Sequence, residues 1–151
     1  MPRIRQLQTA HGVLENDERR KAQTLANSER QVKESEAKLA ELGSYREAYL
    51  RDFASRAGSG MTAARARDYQ AFIARLDEAL GEQSEVVARA RTQRAELLVK
   101  WRGAAQHTAA VDRALKRGLS EEQSRLERRE QTDADERAQR RWSSGDHRRV
   151  R

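Results

Sequence analysis

The sequence predicts an all-α protein, a long two-helix antiparallel coiled-coil hairpin. Three observations predict it. Apolar residues recur at coiled-coil spacing in two long stretches, and one glycine- and serine-rich break separates them. The composition is also too poor in apolar residues for a compact core: 36% hydrophobic, 36% charged and 5% aromatic over 151 residues. Such a chain fills a narrow seam between helices, not the interior of a sphere.

The first stretch, residues 1–56, places Ile4, Leu7, Leu14, Leu25, Val32, Leu39, Leu42, Tyr49 and Phe53 in one heptad frame, with a positions from residue 4 through residue 53. His11, Glu18, Lys21, Ser28, Ser35 and Arg46 interrupt it, so fraying or bending is expected near residues 18–28. Residues 57–62 form the turn, because Gly58-Ser59-Gly60 is the sharpest helix-breaking run between the two stretches. Ser59 and Thr62 are both candidates to cap the second helix.

The second helix is expected over residues 63–141. Its frame runs through Tyr69, Ile73, Leu76, Leu80, Gln83, Val87, Ala90, Arg94, Leu97, Trp101, Ala104, Thr108, Val111 and Leu115. Gly118, followed by the capping-box spacing Ser120-Glu121-Glu122-Gln123, predicts a kink or restart near residue 118. Residues 142–151 lack periodicity and read as a disordered basic tail. A turn centred near residue 59 would set Ile4 against Leu115, Val32 against Val87, Leu39 against Leu80, Leu42 against Leu76 and Tyr49 against Tyr69. Everything past Gly118 would then lack a partner helix.

Composition also narrows the function. The chain has no cysteine, which excludes a disulfide scaffold and a thiolate metal site. No apolar run reaches the roughly 18 residues of a membrane span, and the N-terminus has no signal-like apolar core, so a cytoplasmic protein is expected. The net charge of +7 raises a nucleic-acid reading. The excess is thin and evenly spread: 11 bases and 9 acids over residues 1–57, 10 and 7 over 58–116, 10 and 8 over 117–151. Alternating charge of this kind suits a solvated coiled-coil surface better than a phosphate-binding stripe.

No catalytic constellation emerges, and neither a cofactor nor a small-molecule substrate is expected. His11 and His107 would lie close in the expected register, but no third ligand joins them by spacing. Gly58-Ser59-Gly60 lacks the Gly-Lys-Ser/Thr ending of a phosphate loop. What stands out is aromatic placement. Tyr45, Tyr49, Phe53, Tyr69 and Phe72 gather at the turn end, more rings than a two-helix seam can bury. Tyr45 and Phe72 fall off the frame and are expected to be partly exposed, as in a protein-docking patch. Trp101 sits on the seam; Trp142 is either an anchor for a partner or simply exposed.

The run Leu42-x-x-Tyr45-x-x-x-Tyr49-x-x-x-Phe53, a glycine-containing gap, then Tyr69-Gln70-Ala71-Phe72-Ile73-x-x-Leu76-x-x-Ala79-Leu80-x-x-Gln83 resembles the FliJ family of the bacterial flagellar type III export apparatus. Leu126-Glu127-Arg128-Arg129-Glu130-Gln131 with Asp135-Glu136 is similar to the family's C-terminal pattern. The resemblance spans nearly the whole chain and departs from some relatives at Lys38 and Gln83.

The resemblance implies a shape similar to the central stalk of rotary ATPases. It also implies a non-enzymatic link between the hexameric export ATPase FliI and the export gate protein FlhA, with roles toward FliH and export chaperones. Membrane association would be peripheral, through those partners. The gate-docking residues it implies are Leu42, Tyr45, Tyr49, Phe72, Leu76 and Ala79, and Arg117, Arg125, Arg128 and Arg129 would meet acidic loops of the ATPase ring. The alternatives are the stalk protein of a virulence type III system and, in another class, a basic nucleic-acid-binding rod. The Tyr-Gln-x-Phe-Ile element favours the flagellar member.

Overall fold

The computed structural model describes the backbone of residues 2–149 and the side chains of residues 3–145. Two helices make up the fold, α1 (Pro2–Gly58) and α2 (Ala63–Arg149), packed against each other as a helical hairpin. The chain divides into two units, residues 17–104 and residues 1–16 with 105–151.

The turn lies in the first unit and is built by its own hydrogen bonds. The amides of Ser59 and Gly60 donate to the carbonyls of Arg56 and Ala57, closing the last turn of α1. Ser59 Oγ donates back to the carbonyls of Ser55 and Arg56, so this serine serves α1. Thr62 is the N-cap of α2: its Oγ1 accepts from the Arg65 amide at 3.2 Å and its carbonyl from Ala66 at 3.0 Å. Gly60, at φ 99°, holds the left-handed conformation that reverses the chain.

The hydrophobic core of this unit is Leu25, Val32, Leu76 and Val87, and Val32 is only 1% exposed. Ser28 and Ser35 are buried beside them. All lie on the two heptad frames. The two serines therefore do not interrupt the seam. Their small side chains let the helices approach, and Ser35 Oγ returns its proton to the Val32 carbonyl at 2.9 Å. Gln83 crosses the seam and donates to the Ser35 carbonyl at 3.0 Å. The helix runs unbroken through residues 18–28, where Leu25 and Ser28 are buried.

The register differs from the expected one. Phe53 meets Tyr69 with ring centroids 5.6 Å apart, and Tyr49 stacks on Phe72 at 4.2 Å, leaving Tyr69 a more distant neighbour of Tyr49 at 6.0 Å. Arg46 is ion-paired with Asp77, and Arg91 with Glu36. The expected pairs set a against a and d against d. Reversing one helix exchanges the order of a and d along the seam, so each a layer faces a d layer instead. Phe53 (a) beside Tyr69 (d) shows that layering, and α2 slides along α1 by about half a heptad to reach it.

In the second unit, residues 2–16 of α1 lie against α2. A Cβ built on Gly118 would stand 3.7 Å from Ile4 Cγ1, again an a position meeting a d position. Gly118 is thus a seam residue inside an unbroken helix, and no restart occurs there. Thr108 is buried on the same frame. Beyond the start of α1 the helix continues to Arg149, past the residue 141 at which the sequence reading ends it. Ser143 and Ser144 lie inside the helix, their hydroxyls donating to the carbonyls of Gln139 and Arg141. Val150 and Arg151, the last residues of the expected tail, lie outside the described residues.

Candidate functional surfaces

Two surfaces stand apart from the seam. The first is the aromatic cluster next to the turn. Tyr49 and Phe72 stack with an interplanar angle of 27°, and Tyr69 tilts against both Tyr49 and Phe53. The stack is possible because the corrected register brings Phe72 opposite Tyr49. Phe72 is therefore half-buried by its partner ring, while Tyr45 remains 55% exposed and, among the described residues, has no ring against it. Leu42 and Ala79 are half-buried, and Leu76 is buried in the seam, where it holds the hairpin rather than facing outward.

A polar brace flanks this cluster. The Tyr69 hydroxyl donates to Asp52 Oδ2 at 2.6 Å, and Arg56 Nε donates to Asp52 Oδ1 at 3.2 Å. The Tyr69 hydrogen bond, with the Arg56 hydrogen bond and charge behind it, holds the Asp52 carboxyl below the usual carboxylate range. The same bond to Asp52 pushes the Tyr69 phenol above its ordinary value. Sequence reading missed this brace. Its one visible signal was the i,i+4 spacing of Asp52 and Arg56, which is common on any helix.

The second surface is the C-terminal part of α2. Arg117 and Arg125 line an open groove with Arg3, Ile4, Leu7, Glu121 and Glu122, where α1 begins. Arg128 and Arg129 are exposed. So are Leu119 at 44%, Leu126 at 53% and Trp142 at 77%. Every described side chain from Arg125 onward is exposed.

His11 does not meet His107. Its Nε2 lies 3.6 Å from Asp112 and its Nδ1 4.0 Å from Glu15, while His107 is exposed. Lys116, 2.9 Å from Asp112, is the main cause holding that carboxyl low, and His11 adds a smaller attraction. Among the described residues, no group of three His, Asp or Glu side chains is placed to hold a metal ion, and no helix is long and apolar enough to cross a membrane.

A family model described as flagellar FliJ protein matches residues 3–146, nearly the whole chain. The chain belongs to the FliJ family. FliJ proteins are non-catalytic coiled-coil components of the flagellar export apparatus, and the helical hairpin is in keeping with that membership. The matched residues take in both surfaces, the aromatic cluster and the C-terminal helix. Comparison with curated proteins and with solved structures yields no match.

Proposed function

We propose that this FliJ-family protein couples the export ATPase FliI to the export gate protein FlhA, and that it assists delivery of chaperones and their substrates. The observation that carries the reading is Tyr45, an exposed ring beside the Tyr49–Phe72 stack, next to the turn of a chain that matches the family from residue 3 to residue 146. A large amphipathic ring left bare beside other aromatics is the usual anchor of a protein interface. In this reading Tyr45 leads the gate contact, Leu42, Tyr49, Phe72 and Ala79 form its half-buried floor, and Leu76 supports it from the seam.

The C-terminal helix, carrying Arg117, Arg125, Arg128 and Arg129, is the element that enters the ATPase ring. Its exposed leucines and dense charge suit a partner that surrounds it. FliH is a further partner on the ATPase side. The protein acts in the cytoplasm and reaches the membrane only through the gate.

Capture of purified gate protein by the full chain tests the docking surface. Tyr45→Ala removes an exposed ring and is expected to leave the melting temperature within about 1 °C while weakening capture at least tenfold. Unchanged capture by this folded variant would remove the gate contact from the turn end. Motility of a deletion strain complemented with Tyr45→Ala gives the cellular readout, with reduced swimming expected.

A further inference from the structure

The C-terminal helix changes its sign of charge abruptly, and the change says what kind of surface can surround it. Residues 119–136 hold seven carboxylates (Glu121, Glu122, Glu127, Glu130, Asp133, Asp135 and Glu136) against three arginines, Arg125, Arg128 and Arg129. Residues 137–145 hold Arg137, Arg140 and Arg141 and no carboxylate. Both zones lie on one continuous helix whose side chains from Arg125 to Gly145 are exposed. At 1.5 Å per residue the two zones are centred about 20 Å apart. That is more than two Debye lengths at physiological salt, so away from the boundary at residues 136 and 137 a partner meets two separate charges rather than their average.

Within the first zone the three arginines are outnumbered, and each has acidic residues within one helical turn. In the second zone Arg137, Arg140 and Arg141 share one face of the helix by their i, i+3, i+4 spacing, while Trp142, the most exposed of the large hydrophobic side chains at 77%, lies on the other side and shares an open surface with Asp135, Glu136, Ala138 and Gln139. Among the described residues none of these three guanidinium groups stands in an ion pair.

We propose that the partner surrounding this helix carries two opposite belts of charge, a basic one facing residues 119–136 and an acidic one facing Arg137, Arg140 and Arg141. Displacing the helix along its axis by one zone would set like charges together, so the charge reversal fixes how deep the helix sits. The acidic contact therefore belongs to the tip and not to Arg125, Arg128 and Arg129. This rests on the reading that the ATPase ring receives the helix and adds the chemistry of that ring's inner wall.

The test is binding of the full chain to the purified ATPase hexamer at 50, 150 and 300 mM salt (chosen to span about the 14 to 6 Å range of screening lengths). Two charge-reversed variants are compared, the tip variant Arg137→Glu/Arg140→Glu/Arg141→Glu and the collar variant Arg125→Glu/Arg128→Glu/Arg129→Glu. Arginines near a helix C-terminus also suit the helix dipole, so helicity is measured on both by circular dichroism. The tip variant is expected to bind at least about tenfold more weakly at 150 mM salt, and the collar variant, which adds negative charge opposite the basic belt, to bind more tightly than the wild type. Wild-type binding should weaken as salt rises. A collar variant that loses as much as the tip variant, or a tip variant that binds normally, overturns the two-belt assignment while leaving the ATPase as partner. Should the unaltered chain show no binding to the hexamer, the ATPase reading itself falls and takes the belts with it.

Discussion

Tyr69 of α2 donates a 2.6 Å hydrogen bond to Asp52 of α1, and Arg56 grips the other oxygen of the same carboxylate. The bond joins the two helices just before the chain reverses. It sits on the rim of the aromatic cluster, so it fixes the tilt of the Tyr69 ring against Phe53 and Tyr49.

The brace makes the turn end sensitive to pH at both extremes. Asp52 titrates below its unfolded value, so its share of stability is present above about pH 4 and is lost as pH falls through the lowered folded value. Tyr69 titrates above its unfolded value, so its share is present below about pH 10 and is lost as pH rises through the raised folded value. Tyr69→Phe removes the bond and keeps the ring. Its melting temperature should fall below the wild type's near neutral pH, and the gap should close in acid and in strong base. Thermal melts across that range check it, and a gap independent of pH would mean that the loss is one of packing.

Val32 is 1% exposed and Val99 is 69% exposed. Val32→Ala should cost about 1 to 3 kcal/mol, the transfer term of the lost methyl groups plus a cavity. Val99→Ala should change stability by less than about 0.5 kcal/mol. Urea titration of the two variants measures both.

Two glycines should respond in opposite directions. Gly60 has φ 99° and open space around it, so Gly60→Ala meets backbone strain alone, about 1 kcal/mol. Gly118 lies inside α2, and an added methyl group would find Ile4 at ordinary contact distance. Gly118→Ala should stabilise by about 1 kcal/mol through helix propensity and that contact. Melting temperatures that fall for the first and rise for the second would agree with the turn and seam as described.

The register is open to direct chemical test, since the chain has no native cysteine to interfere. Facing a against d sets Leu42 level with Leu80. Under mild oxidation Leu42→Cys/Leu80→Cys should form a disulfide faster than Leu42→Cys/Leu76→Cys, whose sites are offset by about 6 Å along the axis. A faster second pair would restore the a-against-a register.

Much of the fold was legible in the residues. Heptad spacing marks both helices, and the Gly58-Ser59-Gly60 run marks their junction. The register differs from the expected one, although the frames contain it: an antiparallel seam needs a to face d, which excludes Val32 against Val87 as a layer. Polarity alone makes Ser28 and Ser35 interruptions of the frame; their size does not. Buried between close helices, their smallness is what the seam uses. The end of α2 is not legible, because the loss of heptad periodicity after residue 141 marks the end of a seam and not the end of a helix. On the candidate surfaces, the exposure of Tyr45 was legible from its off-frame position. The partial exposure of Phe72 was legible in the same way, but its stacking on Tyr49 was not, since that depends on the register.

The seam around Val32 is a single file of layers, each touching only the ones before and after it. Among the described residues the two helices are the only elements, so no third layer binds distant parts of that file into one block. Amide exchange should therefore be slowest near Val32 and Val87 and quicken step by step in both directions along residues 17–104, as a zip opens from its ends and not as a sphere melts at once.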